Sequence, residues 1–355
     1  MTLDPSRRGV ILVLAIYLIL SALPCAAENP LIPTASLSAS VGADVGQVRE
    51  LVYAVDRIFS ELDWDMKPLW GAEIGARLDW ESGLLAEGDF SVGLPGLTGI
   101  MEDSDYLNID RNGSGAKTHF SRHNANVGYS YSWSARFGWK LPLPVRGPKS
   151  RSVISVTPLL GFRYWTTRWT SSDGYLQHPD WVYFPTDTDA DGTIVYKEWT
   201  ENTEKKSVLG IPITYLGEYW TPTIGAKALI PIGEAITIEP EFDFSVFVGW
   251  NGLDRHYRPA LNTADYSAST DWANYYDVLS NGFLIAPSLR ASYAMNERLL
   301  FFASARWTYI DRLRGDTYYK KTSTSPILKS PAAAGSGGGA AMSALTFRAG
   351  VTVRL

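Results

Sequence analysis

Apolar and polar residues alternate one by one over most of the chain. From Trp70 the apolar series runs Ala72, Ile74, Ala76, Leu78 and Trp80, with Gly71, Glu73, Gly75, Arg77, Asp79 and Glu81 between and after them. The same alternation runs from Val127 to Leu141, from Ile238 to Trp250 and from Leu345 to Leu355. A period of two sends successive side chains to opposite faces of a strand, so each stretch predicts a β-strand with one apolar and one polar face. No long stretch carries the 3.6-residue period of an amphipathic helix.

The stretches run well past the length of an ordinary strand, which is about 5–6 residues. A strand crossing a bilayer needs about 9–11 residues, with aromatic girdles at the interfaces and a polar interior. Lipid cannot satisfy an open sheet edge, so such strands close into a ring. The pattern predicts an all-β fold, a ten-stranded antiparallel transmembrane β-barrel with long extracellular loops; a secreted soluble β protein is the alternative. The expected strands are 36–54, 60–81, 84–101, 121–141, 151–170, 205–231, 236–251, 271–295, 298–318 and 343–355. The connections 81–84, 142–150, 232–235 and 295–298 are short and assigned to the periplasmic side. Those at 102–120, 171–204, 252–270 and 319–342 are long and assigned outside, with the Ala/Gly/Ser-rich 332–341 a flexible tip.

The first residues read as an address. Arg7 and Arg8 precede an apolar run from Gly9 to Leu23, and Pro24-Cys25-Ala26-Ala27 supplies a small-residue cleavage site. The expectation is a signal peptide over 1–27 and one barrel domain over 28–355, with an N-terminal anchor helix the alternative. Cleavage would remove the single Cys, and with it disulfides and thiol catalysis. A net charge of −5 gives no basic footprint for nucleic acid. Mean hydropathy of −0.08 is too polar for a bundle of transmembrane helices.

Two spots concentrate ionisable groups beyond the third and seventh strands. In extended backbone, residues i and i+2 share a face, so Asp103 pairs with Asp105 and Asp254 with His256. Adjacent carboxylates resist double ionisation, and an Asp beside a His raises its basicity and fixes its tautomer. Such pairs, set opposite one another, can activate a water as nucleophile. Taken alone, each pair is a weak signal and is more often a solvated loop. Alternation puts Glu50, Asp103 and Asp105 on the lumen face. Asp254 and His256 reach that face only if the chain shifts by one residue, and Asn251-Gly252 is the expected place. Ser121 and His123 fall on the outward face, which gives them a supporting or structural role.

These residues resemble those of the omptin family of outer-membrane proteases. Ser60-Glu61-Leu62-Asp63-Trp64 resembles the family's S-x-L-D-W, and Met101-Glu102-Asp103-Ser104-Asp105-Tyr106 its M-x-D-x-D-W. Ser121-Arg122-His123 resembles its S-R-H, and Asp254-Arg255-His256-Tyr257 its D-x-H-Y. The resemblance, in order from about Ser36 to Leu355, implies an endopeptidase. Asp103 and Asp105 would face Asp254 and His256, water would attack directly, and no cofactor would enter the chemistry. It implies polypeptide substrates, a monomer in the outer membrane, an active site facing outward, and lipopolysaccharide as activator, with Arg163 and Arg168 as candidate contacts by position only; a snorkelled or lumenal Arg is the favoured reading of each. Glu50 matches a pocket acid that receives a basic P1 side chain; a ligand-free polar lumen residue is the other reading. The family's second pocket acid is Gly252 here, and an acid before S-R-H is replaced by His119-Phe120, so weaker or shifted selectivity is expected.

One further motif stands in the third outer loop, within 171–204. Asp187, Asp189 and Asp191, Gly192, Thr193 at the seventh position and Glu198 at the twelfth fit a calcium loop. A solvated acidic loop fits equally, because flanking helices are absent. The rival to the protease reading is a non-catalytic barrel acting as adhesin or narrow pore.

Overall fold

The computed structural model describes residues 33–54, 57–108, 115–143, 154–179, 196–258, 265–266, 270–320, 328–329 and 337–355. The predicted signal peptide lies outside them. In chain order the strands are β1 (Thr34–Ala54), β2 (Arg57–Asp79), β3 (Leu84–Gly93) continued by β4 (Gly96–Asp105), β5 (His119–Trp139) and the short β6 (Leu141–Leu143). β7 (Ile154–Gln177) follows, then β8 (Lys206–Gly210) leading into β9 (Ile213–Ile232), and β10 (Ile236–Ser245) continued by β11 (Gly249–Arg258). Last come the short β12 (Asp265–Tyr266), β13 (Thr270–Ser280) continued by β14 (Leu284–Ala294), β15 (Leu299–Lys320), the short β16 (Leu328–Lys329) and β17 (Gly337–Arg354). Counting continued strands once, ten antiparallel staves form the ring, closed by β1 against β17 from Ser36↔Arg354 to Tyr53↔Gly337. A short parallel pairing joins β8 to β12.

The outward face carries an apolar belt that includes Val41, Trp70, Phe137, Leu160, Ile224 and Phe301. At about 3.3 Å per residue and a tilt of about 45°, a 21-residue stave such as β1 stands roughly 50 Å tall, against an apolar band of about 25 Å. The surplus is at one end. On β1 the exposed apolar positions stop at Val45 while the strand continues to Ala54. This end also carries the longer connections; residues 80–83, 233–235 and 295–298 turn back at the other. Glu50, Asp103, Asp105, Asp254, His256 and Asp277 all lie in the part beyond the belt.

Within the belt the lumen is crossed by interlocked charges beside a polar cavity lined by Asp44, Glu73, Asp89, Arg306 and Arg348. Arg136 meets Glu87 at 3.1 Å, Asp89 at 3.7 Å and Asp243 at 3.7 Å, and bonds Glu241. Arg163 bonds Asp243, Lys227 bonds Glu87, and Arg306 reaches Glu241 at 3.1 Å. Above these lies an aromatic layer in which Trp64, Trp169, Tyr215 and Trp250 are fully buried. Trp64 stacks on Tyr215 at 6.0 Å, and the Trp250 indole N–H donates to the Tyr215 hydroxyl at 3.2 Å. Rings and ion pairs cross the lumen where an open pore would hold a continuous water column, so the refolded barrel is expected to give no steady ion conductance in a planar bilayer.

Two staves change face by one residue, which strict alternation does not foresee, and a third does so twice with no net change. β10 pairs Phe244 with Ile224, but β11 pairs Gly249 with Trp220, so one extra residue sits between them. Val246 and Phe247 are exposed, whereas Val248 and Trp250 point inward at 1% exposure. The shift therefore precedes Trp250 rather than following it at Asn251-Gly252. It occurs where Pro222 has no N–H to offer; the Thr221 hydroxyl donates to the Phe247 carbonyl at 2.9 Å instead. On β5 the pairing shifts between Val127 and Tyr129, so exposed Tyr129 and buried Val127 share a parity but not a face. On the third stave the break after Leu94 and a bulge between Leu97 and Gly99 offset one another, and the predicted inward parity of Asp103 and Asp105 survives.

Two boundaries differ from expectation in a way that matters. The third and seventh staves continue as β4 and β11 through the candidate residues, which places them on paired strands and not in loops. Gly337–Ala341, expected in a flexible tip, belong to β17. The small residues are required there: a Cβ on Gly338 would lie 2.2 Å from Asp277 Oδ1, and one on Gly339 2.5 Å from the Tyr53 ring.

Candidate active site

β4 is held between β2 and β5, which sets Asp103 beside Leu62 and Ser121, and Asp105 beside Ser60 and His119. β11 is held between β9 and β13, with Asp254 beside Tyr215 and Tyr275. Both pairs project into the lumen above the aromatic layer. His256 Nε2 and Asp254 Oδ2 are 2.5 Å apart. The Asp254 side chain is 4% exposed and that of His256 26%, so the imidazole is the end of the pair open to solvent. Asp254 Oδ1 has no hydrogen-bond partner among the described residues. Across the lumen, the Ser60 hydroxyl donates to Asp103 Oδ1 at a long 3.5 Å.

The electrostatics tie the two pairs together. Burial pushes Asp103 well above the usual carboxylate range, Asp105 and Asp254 add to this, and His256 opposes it. Burial also raises Asp105, against a Ser60 hydrogen bond and the pull of His119 and His256. Burial alone would lower the imidazole of His256; Asp254 first, then Asp103 and Asp105, overcome it and raise the pKa to about 9. The site thus holds protons readily, and its charges are mutually dependent.

Ser121 and His123 are not on the outward face. The Val127–Tyr129 shift turns them inward, directly across from Asp103 and Met101. Burial lowers the His123 pKa and keeps the ring neutral. Its Nδ1–H then donates to the Asp173 carbonyl at 2.5 Å, and Nε2 accepts the Ser121 hydroxyl at 2.9 Å. Both side chains are sealed, at 3% and 2% exposure, which suits a buttress for β4.

Glu50 faces the lumen as its parity predicts, 2% exposed. Asp277, on β13 opposite Gly252, was not found by sequence reasoning, yet its charge is felt by Glu50 and Asp254 acts on it in turn. Burial raises it to about 7 against a Thr317 hydrogen bond, and Asp254 adds to the rise. The available signal was weak: one Asp on the same face as apolar Ala273 and Leu279, in a run with no motif. Trp250, in the floor of the site with Tyr215, is hidden from strict alternation by the β10–β11 shift.

Of the two arginines considered for lipopolysaccharide, Arg163 is lumenal and bonded to Asp243. Arg168 lines an outer-wall groove with Tyr129, Thr214, Leu216, Leu253 and Arg255. Asp187, Asp189, Asp191 and Thr193 lie outside the described residues, and Glu198 is exposed. Among the described residues no three His, Cys, Asp or Glu side chains are grouped to hold a metal ion.

A closed membrane-spanning ring whose loop end gathers carboxylates around one imidazole defines a class, the outer-membrane β-barrels with a lumenal acid–imidazole site. Within it, the sequence profile of the omptin family matches residues 32–354, and the chain belongs to that family of outer-membrane proteases. The crystal structure of the outer membrane protease OmpT from Escherichia coli superposes with a TM-score of 0.71 at 17% identity, covering 94% of this chain and 100% of that one. The translocator domain of the autotransporter NalP from Neisseria meningitidis gives 0.35 at 10% identity, over 99% and 97% of the two chains. No curated protein matches the sequence.

Proposed function

We propose that the chain is an endopeptidase that hydrolyses peptide bonds with a water held between Asp103–Asp105 and Asp254–His256, on the extracellular side of the outer membrane. The observation that carries this is the His256–Asp254 contact, facing a carboxylate pair whose protonation it influences. Asp254 orients the imidazole and stabilises its charged form. The ring nitrogen not bonded to Asp254 takes a proton from the water as the oxygen attacks the scissile carbonyl. A proton held by Asp103–Asp105 is offered to the developing oxyanion. The imidazolium then protonates the leaving amine, with no covalent enzyme intermediate. The lumenal position of Glu50 supports a preference for a basic P1 residue. The buried floor keeps bulk water away from the charges beneath the substrate, which strengthens each contact.

Purified, refolded protein supplied with lipopolysaccharide is expected to cleave members of a fluorogenic peptide panel. Because His256 is raised to about 9, the resting site is charged at neutrality and the base form grows as pH rises. kcat/KM is therefore expected to climb from about pH 6 and to level near pH 9. Failure to cleave any peptide would favour the adhesin reading, and a measured conductance the pore.

Lipopolysaccharide fits the outer-wall groove: two guanidinium groups next to an aromatic ring at the edge of the belt suit a phosphorylated headgroup. Replacing Arg168 and Arg255 together by alanine is expected to raise the lipopolysaccharide concentration for half-maximal activity about tenfold or more. An unchanged requirement would rule the groove out. The ring closes every barrel edge, which supports a monomer. Calcium at Asp187, Asp189, Asp191, Thr193 and Glu198 is kept as a separate proposal, testable by calorimetric titration of wild-type and Asp189→Asn protein.

A further inference from the structure

We propose that Asp277 is the second acid of the substrate pocket, and that with Glu50 it receives one cationic side chain of the substrate. This rests on the endopeptidase reading above and extends it to the residue that sets selectivity. The sequence has Gly252 where the family carries the second acid, from which weakened selectivity was expected. The fold answers from the neighbouring strand. Gly252 stands directly opposite Asp277 in the β11–β13 pairing. A Cβ on Gly252 would lie 3.2 Å from Asp277 Oδ2 and 3.2 Å from the Tyr215 hydroxyl. The Asp277 carboxylate therefore occupies the space over Gly252 that a side chain from β11 would fill. Glycine leaves the room, and β13 supplies the charge.

A second observation points to a ligand. Glu50 is 2% exposed and its Oε2 has no hydrogen-bond partner among the described residues. Asp277 is 4% exposed; the Thr317 hydroxyl donates to its Oδ1 at 2.5 Å, which leaves Oδ2 toward Gly252. The charged groups that act on this pair are other carboxylates: Asp254 on both, Asp103 on Glu50. Among the described residues neither Glu50 nor Asp277 forms an ion pair. Arg314 is engaged elsewhere, stacked 3.9 Å over the Tyr53 ring. Two buried carboxylates without a cation are unstable company, and a bound guanidinium or ammonium resolves the conflict. A guanidinium has enough donors, in a planar fork, to serve both acids at once.

The test compares two peptides identical except for arginine or its neutral isostere citrulline at P1. Each is titrated calorimetrically into full-length His256→Ala protein with lipopolysaccharide, which binds without turnover. The arginine peptide is expected to bind about 10–100-fold tighter than the citrulline peptide, and Asp277→Asn or Glu50→Gln to remove most of that ratio. Asp277→Asn is isosteric, and retained heat-modifiable gel mobility verifies the barrel. Equal weakening of both peptides, an unchanged ratio in Asp277→Asn, or no arginine preference at the outset would each overturn the proposal. Hydrolysis by His256-intact protein separates the two claims. Cleavage with a ratio indifferent to Asp277 rejects the pocket and leaves the peptidase, while arginine-selective binding without cleavage does the reverse.

Discussion

Replacing His256 by alanine is expected to lower kcat by about 10²–10⁴-fold with a much smaller change in KM, the range for removal of a positioned general base. The reason is local. The Asp254 carboxylate is nearly sealed, one of its oxygens is already without a partner, and the imidazole is the only described group bonded to the other. Without the ring, nothing carries the proton from water to leaving amine, while the groups that would grip the substrate stay in place. Asp103→Asn is expected to lower kcat as well, because an amide cannot share a proton with Asp105. A peptide assay on barrels verified by gel mobility checks both. Full activity in either variant would reject the mechanism. In the proposed mechanism the residues act on one water, so the His256→Ala/Asp103→Asn double variant should lose far less than the product of the single losses.

The second large effect is on stability. Arg136→Met is expected to destabilise the barrel by about 3–5 kcal/mol, the range for removing one partner of a buried ion pair. Arg136 is 7% exposed and sits at the junction of Glu87, Asp89, Glu241 and Asp243. Its loss leaves carboxylates facing one another, with Lys227, Arg163 and Arg306 to share among them. Urea unfolding in lipid vesicles measures the change. Adding Glu241→Gln to Arg136→Met should recover part of it, because the second change removes the charge that the first stranded. Loss of less than about 1 kcal/mol would show that water enters and screens the network.

Much of this architecture is legible along the chain, because a period of two survives in every stave. The number of staves and the inward parity of Glu50, Asp103 and Asp105 follow from it directly. What alternation misses is where a stave gains one residue. Trp250 was read as lipid-facing and Ser121 and His123 as outward, and all three are inward. For Trp250 the extra residue sits where Thr221 of the neighbouring stave bonds the Phe247 carbonyl next to Pro222. No period within one strand records that. Asp277 was missed for a related reason, since its meaning comes from Gly252 across the sheet. The glycines of 337–339 look like a linker by composition and are instead where close packing against Asp277 and Tyr53 forbids a side chain.

The aromatic layer and the ion pairs beneath it carry one last consequence. On the proposed reading, a polypeptide that enters the cup at the loop end meets described residues that bar the way through the barrel, so both fragments of a cut chain would back out by the mouth they came in. Catalysis here is then one-sided by construction, and the compartment behind the barrel is untouched by whatever is digested in front of it.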